Sequence, residues 1–303
     1  MSILVRLPDN LYDDTAFAGF SAPNPSILDI GRAMMWMSQL AYENDQNKIT
    51  NIGQRWNLTA AKYFQETANT VMPLSNTRGV IAQINNTTII SFAGTDPVSL
   101  PDWIADLRFQ KSADQVHEGF QDAVEAVWKG HLEPALDAIK AAGCPVIFAG
   151  HSLGGALAAV AAERALREKG IQQADVYAFG MPRVGTALFA ASYAPLTQTT
   201  YRFMHGQDIV PTVPPREFDF VHVGRPLPCQ SGGKFSLADL GPPGEPAGAR
   251  DVNAVNDFVD QFRRLVALPT LTAFRGDLVG LGSRFLTPGI ADHLPDRYCH
   301  ALS

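Results

Sequence analysis

The segment Gly150-His151-Ser152-Leu153-Gly154 constrains the fold of this chain more than any other feature. A short apolar run, residues 145–150, precedes it, and an alanine-rich stretch, residues 153–169, follows it. The pattern G-x-S-x-G between a strand and a helix is typical of a sharp turn that presents a reactive serine, since side chains at the flanking positions would collide with both elements. We therefore predict a strand, a turn and a helix here, with Ser152 as a nucleophile. The alternative is an ordinary Gly/Ser turn.

The rest of the chain alternates between strand and helix patterns. Apolar spacing predicts an amphipathic helix over residues 26–43 with Ser26 as its N-cap, and a helical stretch over 120–140 with a break near Gly130 and Pro134. Strands are predicted at Arg78–Ile84, Thr87–Phe92, Ala174–Phe179 and Thr199–Met204. Strands that alternate with helices indicate an α/β fold with a largely parallel sheet. We place residues 1–303 in a single domain.

Charge and motif content exclude several classes of function. Twenty-four Lys and Arg residues stand against thirty Asp and Glu, a net charge of −6 without a basic run, so we expect no nucleic-acid partner. Residues 141–162 carry no formal charge and could span a bilayer by length, but Pro145 and four glycines interrupt them. We therefore expect no transmembrane segment. The chain has neither H-E-x-x-H nor a phosphate-binding glycine loop with lysine, so neither a cofactor nor a metal is expected.

The first residues of the chain and its cysteine content indicate the cellular compartment in which the protein is expected. The start, MSILVRLPDNLYDD, lacks the apolar region of a secretory signal, and three cysteines cannot all pair within one chain. We therefore expect reduced thiols and a cytoplasmic location. A mature secreted form that has gained a methionine is the alternative.

A nucleophilic serine of this type needs a base and an acid, which follow it in the order Ser, acid, His. Asp208 follows a predicted strand at the carboxyl end, where sites of α/β proteins gather, although a surface turn would also explain it. Three histidines come later in the chain: His222 within a strand pattern, His293 in a loop-like region, and His300 near the chain end. The residues alone leave the choice among these three open.

Several ordered motifs together resemble one family, the class 3 lipases or fungal-type triacylglycerol lipases. They cover about residues 30–224 and again the region near 290. The matching segments are FAGT at 92–95, WIADL at 103–107, VHEGF at 116–120, GHSLGG at 150–155, FGMPRVG at 179–185, DIVPTVPP at 208–215, HVG at 222–224, and DHL at 292–294 with Tyr298.

The resemblance implies an α/β-hydrolase fold, a mostly parallel central sheet flanked by helices with a short helical lid. It assigns Ser152 as nucleophile, Asp208 as acid and His293 as base, and it places Thr95 and the backbone N–H of Leu153 in the oxyanion hole. Two departures stand out. Ala93 replaces the arginine usual in the family, and the separation of 85 positions from Asp208 to His293 exceeds the usual spacing.

Two segments are expected to lie over this core. Residues 96–109 would form the lid, with one apolar helical face made of Leu100, Trp103, Ile104 and Leu107, unless they form an ordinary surface helix. Residues 226–290, which begin with a stretch rich in Pro, Gly and Ser, would form an inserted cap or flank.

The implied activity is hydrolysis of acylglycerol esters through an acyl-enzyme, with a lipid or ester substrate taken at an oil–water interface. Phospholipase A1, feruloyl-type esterase and short-chain carboxylesterase activities use the same chemistry and stay open. A non-catalytic binding protein of the same fold is the alternative from another class.

Overall fold

A seven-stranded sheet in sequential order, β1 to β7, forms the centre of the computed structural model, which describes residues 5–67, 76–95, 112, 115–244 and 288–303. The first three strands pair antiparallel, and β3 to β7 pair parallel. The predicted, largely parallel sheet is therefore present. The strands are β1 Thr59–Thr67, β2 Asn76–Ile84, β3 Thr87–Phe92, β4 Val146–His151, β5 Ala174–Phe179, β6 Thr200–His205 and β7 Arg225–Cys229.

Helices cover both faces of this sheet. The described α-helices are α1 Ile27–Leu40, α2 Gln46–Arg55, α3 Glu118–Val127, α4 Glu133–Ala142, α5 Leu153–Lys169, α6 Ala187–Ser192, α7 Pro288–Ala291 and α8 Pro295–Ala301. A single π-helical turn, Trp128–Leu132, joins α3 to α4, where the sequence predicted a break. Short 3₁₀ turns complete the chain, among them Val210–Thr212.

Alternate residues of the central strands pack into two separate apolar layers, because successive side chains of a strand point to opposite faces of the sheet. On β4, Val146 and Phe148 join α3, α4 and α5 in one layer, whereas Ile147 and Ala149 join α1, α2 and α8 in the other. All six residues of β4 are buried. The strand that leads to Ser152 is thus held on both faces, which gives the following turn a rigid base.

The structure corrects one boundary of the sequence interpretation. Residues 226–229, assigned to the inserted cap or flank, belong to β7, which pairs with β6 from Tyr201 opposite Arg225 to His205 opposite Cys229. Two prolines, Pro226 and Pro228, hid the strand in the sequence. Proline is tolerated here because β7 is an edge strand in this sheet, so a missing N–H costs no ladder bond on its outer side.

Other predictions lie partly or wholly outside the described residues. The lid of residues 96–109 and its four apolar side chains fall there, as do residues 245–287 of the cap or flank. Among the described helices, none combines the length and the apolar character needed to cross a membrane. Cys144, Cys229 and Cys299 are all free thiols.

Candidate active site

Ser152 occupies a sharp turn between β4 and α5. Its backbone has φ 61° and ψ −131°, a sparsely populated combination for a residue with a side chain, and its N–H donates to the Phe179 carbonyl on β5 at 2.8 Å. Such a conformation costs on the order of 1–3 kcal/mol and persists only where its surroundings impose it. A Cβ on Gly150 would lie 2.1 Å from the Gly154 carbonyl carbon, so the strand and the helix meet without side chains between them.

Asp208 and His293 form a buried hydrogen-bonded pair. Asp208 lies just beyond β6, and its Oδ2 is 2.8 Å from Nδ1 of His293, which lies between α7 and α8. Their side chains are each 2 % exposed. Because a carboxylate oxygen only accepts, Nδ1 carries the proton, and Nε2 of the neutral ring is left as an acceptor. The carboxylate therefore fixes both the tautomer and the plane of the imidazole.

Two further donors orient the Asp208 carboxylate. The Tyr298 hydroxyl donates to Oδ2 at 2.5 Å, and the Val210 N–H donates to Oδ1 at 2.9 Å. Burial, together with the adjacent Asp208 charge, raises the pKa of Tyr298 well above its ordinary value, so the phenol stays protonated and keeps donating. The Tyr298 hydroxyl in turn accepts the His205 N–H at 3.1 Å. With three donors on one carboxylate, the charged form of Asp208 is satisfied inside the protein.

Gly180 gives the Asp208–His293 pair its space. Its φ is +59°, which disfavours a side chain, and an added Cβ would lie 2.6 Å from Asp208 Oδ2 and 2.9 Å from His293 Nδ1. Gly180 is thus required both by its own backbone and by the close approach of the two functional side chains.

Three buried polar atoms of the predicted site have no hydrogen-bond partner within the described parts of the chain: Ser152 Oγ, His293 Nε2 and Thr95 Oγ1. Buried polar atoms are normally satisfied, so each of these invites a ligand or a reacting group. Leu153 opens α5, and the N–H groups of a first helical turn lack intrahelical partners and favour negative charge. The arrangement thus holds a serine, an unoccupied imidazole nitrogen and donors suited to an oxyanion.

The structure separates the three histidines that the residues alone had left open. His293 is hydrogen-bonded to Asp208. His222 is buried and is not part of any of the seven strands. Its Nε2–H donates to the Pro211 carbonyl at 2.8 Å, and burial lowers its pKa well below the ordinary value. His300 is exposed on α8. The predicted residues Ser152, Asp208, His293, Thr95 and Leu153 all lie among those described; the lid residues do not.

Sequence reasoning missed the contacts of three residues near this site. His151 was not among the candidate histidines, yet its ring centroid lies 4.6 Å from that of His293. Tyr42, which contacts His151, carried no motif at all. Asp292 was read only as part of a motif, although its Oδ2 accepts the Gln207 N–H at 2.7 Å. All three contacts cross long stretches of chain, so no local pattern could have revealed them.

Comparison with known proteins shows that part of this chain is similar to lipases. Residues 89–218 match the family model for lipase (class 3). The secreted mono- and diacylglycerol lipase 1 of Fusarium solani is 39 % identical over 142 residues, 44 % of this chain and 41 % of that protein. The Rhizomucor miehei lipase is 37 % identical over 149 residues, 46 % of this chain and 40 % of that protein. These matches span about two fifths of the relatives' own length.

Residues 89–218 make up somewhat less than half of the chain, and over this part the chain is similar to class 3 lipases. Solved structures of fungal lipases extend this likeness beyond the sequence match. A Rhizomucor miehei lipase propeptide complex superposes with a TM-score of 0.54 at 26 % identity, over 71 % of this chain and 74 % of that one. Lipase II of Rhizopus niveus gives 0.55 at 25 % identity, over 81 % and 89 %. The predicted α/β-hydrolase fold is therefore confirmed.

Proposed function

We propose that this protein hydrolyses carboxylic esters of acylglycerols, with Ser152 as nucleophile, His293 as base and Asp208 as the acid that orients it. One observation carries the proposal. A buried histidine is locked by a carboxylate through Nδ1 while its Nε2 has no partner in the described chain, and the strained Ser152 hydroxyl is likewise unpartnered. An acceptor nitrogen and a serine hydroxyl left unsatisfied in one buried site suit proton transfer between them.

Acylation would begin with attack of Ser152 Oγ on the ester carbonyl carbon, while His293 Nε2 takes the hydroxyl proton. The resulting imidazolium is stabilised by Asp208, whose carboxylate already holds Nδ1. The carbonyl oxygen becomes an oxyanion, which Thr95 and the Leu153 N–H bind. The intermediate then collapses, and His293 returns its proton to the departing alcohol.

Deacylation repeats these steps with water in place of serine. His293 Nε2 accepts a proton from a water molecule that attacks the acyl carbon, and the same donors bind the second oxyanion. Collapse restores Ser152 Oγ with the proton from His293 and releases the fatty acid. Apart from the ester and water, every group used in these steps belongs to the chain.

The acylglycerol class is supported by the relatives rather than by pocket shape. The Fusarium solani and Penicillium camembertii relatives are secreted mono- and diacylglycerol lipases, and a Ricinus communis relative is a triacylglycerol lipase. Each acts on glycerol esters of fatty acids. We extend that substrate class to this chain.

A panel of esters tests the substrate class. Emulsified triolein, a diacylglycerol, phosphatidylcholine, feruloyl esters and p-nitrophenyl esters from C2 to C16 should be compared by kcat/KM. We expect the acylglycerols and the longer p-nitrophenyl esters to lead. Preference for phosphatidylcholine would indicate phospholipase A1 activity instead, preference for feruloyl esters a feruloyl esterase, and preference for C2 esters a short-chain carboxylesterase. If none of the esters is hydrolysed, the protein is a non-catalytic binding protein.

Substitution of the nucleophile tests the mechanism. Ser152→Ala removes the attacking oxygen, so kcat for a C8 p-nitrophenyl ester should fall by about 10⁴-fold or more. A fluorescent alkyl phosphonate should label the wild-type protein at Ser152 and leave the variant unlabelled. Circular dichroism and thermal unfolding serve as the control for folding. A variant that keeps a tenth of the wild-type rate would contradict the assignment.

A further inference from the structure

The side chain of His151, next to Ser152 in the chain, reaches the backbone of His293. Its imidazole is 1 % exposed, and its Nε2 lies 2.7 Å from the His293 carbonyl oxygen. A carbonyl can only accept, so Nε2 carries the proton and donates it. The two rings are also close neighbours, with centroids 4.6 Å apart and planes tilted by 33°. His151 therefore contacts His293 through both main chain and ring.

Tyr42 completes this arrangement from the other side. It lies two residues beyond α1, it is fully buried, and its hydroxyl is 2.8 Å from His151 Nδ1. Since Nε2 of the neutral ring holds the proton, Nδ1 accepts, and the Tyr42 hydroxyl donates. A Cβ on Gly94 would lie 2.5 Å from that hydroxyl, so Tyr42 also packs against the segment that carries Thr95.

We propose that Tyr42 and His151 are positioning residues that hold His293 at the correct distance and orientation to Ser152. This inference rests on the proposed function. Asp208 fixes the His293 ring through Nδ1 but does not fix the backbone that carries it. The His151 hydrogen bond holds that backbone, and it does so from the residue adjacent to the nucleophile. A displacement of Ser152 relative to its base is therefore opposed by a direct link between the two turns.

The position also suits the charge that develops during acyl transfer. His293 becomes an imidazolium each time it takes the serine proton, so the neighbouring His151 ring must not carry a second positive charge. Burial, together with the nearby His293, lowers the pKa of His151 well below its ordinary value, and the ring stays neutral. Among the residues that the structure describes, the groups that face it are the Tyr42 phenol, the Tyr298 ring and His293 itself, and none of these is a carboxylate that would favour its protonation.

Two substitutions at position 151 separate the hydrogen bond from the packing. Gln keeps an N–H donor about as far from the backbone as Nε2 of histidine, whereas Leu is similar in volume to histidine but has no donor. We expect His151→Leu to lower kcat for a p-nitrophenyl ester by about 100-fold with KM nearly unchanged, since small misplacements of a base have effects of that order. His151→Gln should recover most of that loss. Equal activity of the two variants would overturn the proposal.

A hydroxyl deletion tests Tyr42, with a matched control at another buried tyrosine. Tyr42→Phe should lower kcat about tenfold, because His151 loses the donor that fixes its tautomer. Tyr193 is also fully buried, and its hydroxyl lies 2.8 Å from Thr200 Oγ1 at the opposite end of β6 from Asp208. Tyr193→Phe removes the same atom and should keep the wild-type kcat. Equal losses in both variants would indicate a general stability effect and overturn the proposal.

Failure of the positioning role and failure of the proposed function give different results. If the wild type hydrolyses esters, Ser152→Ala does not, and His151→Leu has wild-type kcat, the function stands and the positioning role is wrong. If the wild type hydrolyses no ester, the function is wrong. Histidine ¹⁵N NMR measures the tautomer of His151 independently of activity. We expect the neutral Nε2–H tautomer of His151 in the wild type, and His293 signals at shifted positions in His151→Leu. An Nδ1–H tautomer of His151 would overturn the proposal.

Discussion

Hydrogen bonds made by His293 and the residue before it attach their loop to the rest of the chain. Asp292, the preceding residue, accepts a hydrogen bond from the Ser231 hydroxyl at 2.5 Å and one from the Gln207 N–H at 2.7 Å. The His293 N–H donates to the Ile290 carbonyl at 3.0 Å. The loop between α7 and α8 is thus attached to the segments after β6 and β7. A base that must meet a serine from a distant part of the sequence needs such anchoring.

Substitution of His293 distinguishes it from the other histidine of the same region. His293→Ala removes the base, so kcat should fall by about 10⁴-fold, close to the loss in Ser152→Ala. His300→Ala is the matched control, because His300 is exposed on α8, and its activity should stay within about twofold of the wild type. An inactive His300 variant beside an active His293 variant would reverse the assignment.

At the scale of elements, local signals decide what the sequence could predict. The bounds of α5, Leu153–Lys169, were predicted in full because the Ser152 turn begins the helix and Gly170, with φ 70°, ends it. Ser26 forms the predicted cap of α1 and shares a capping box with Asp29.

Elements without such signals were missed. Strand β1 is an edge strand whose residues are mostly exposed, so it lacks a clear apolar alternation. Strand β7 is short and contains two prolines. Helix α2 was not predicted either, although Asp45 caps it through the N–H groups of Asn47 and Lys48. Its apolar side chains are few, and only tertiary packing shows where they lie.

The lid stays a prediction from residues 96–109. An apolar face made of Leu100, Trp103, Ile104 and Leu107 would cover Ser152 in water and rest on lipid when open, since an oil surface buries the same groups. We expect the rate to rise sharply as a substrate passes its solubility limit and forms an emulsion. Trp103→Ser should blunt that rise and leave the rate on dissolved monomers nearly unchanged.

The control for this experiment is an equally apolar surface residue elsewhere. Leu11 is 55 % exposed in the N-terminal segment, and Leu11→Ser should keep the rise at the solubility limit. Hyperbolic kinetics through that limit, the same in wild type and Trp103→Ser, would indicate a fixed surface helix instead.

For the whole molecule, both ends of the predicted cap or flank are attached to the main core. Strand β7 completes the sheet before residues 245–287, and α8 packs on α1 and β6 after them. We therefore expect a single cooperative transition in calorimetric unfolding, with equal calorimetric and van't Hoff enthalpies. Two separated transitions, or a stable fold of residues 230–287 expressed alone, would indicate an independent domain.

Stability should also depend on pH through two buried histidines. Burial lowers the pKa of His151 and His222 well below 6.5 in the folded chain, so both stay neutral where the unfolded chain takes up protons. Their contribution to stability is therefore complete above about pH 6.5 and is lost as the pH falls below it. The slope of the unfolding free energy should approach about 1.4 kcal/mol per pH unit for each histidine.

A variant isolates one of the two contributions. His222→Gln keeps a donor for the Pro211 carbonyl but cannot take up a proton. The slope between pH 6.5 and 5.5, measured by urea unfolding, should therefore be smaller than in the wild type, by at most about 1.4 kcal/mol per pH unit. An unchanged slope would show that groups other than His222 set the dependence.

Gly180 has a consequence for how a protein with the proposed function could diversify. Its missing side chain lets Asp208 and His293 meet, so we expect a substitution at this position to impair catalysis before it can alter the choice of substrate. Neutral drift would therefore be blocked at position 180. New preferences for acyl chains or head groups would arise at positions away from this contact, where substitutions leave the Asp208–His293 pair intact. Catalysis and selectivity would thereby evolve on separate parts of one chain.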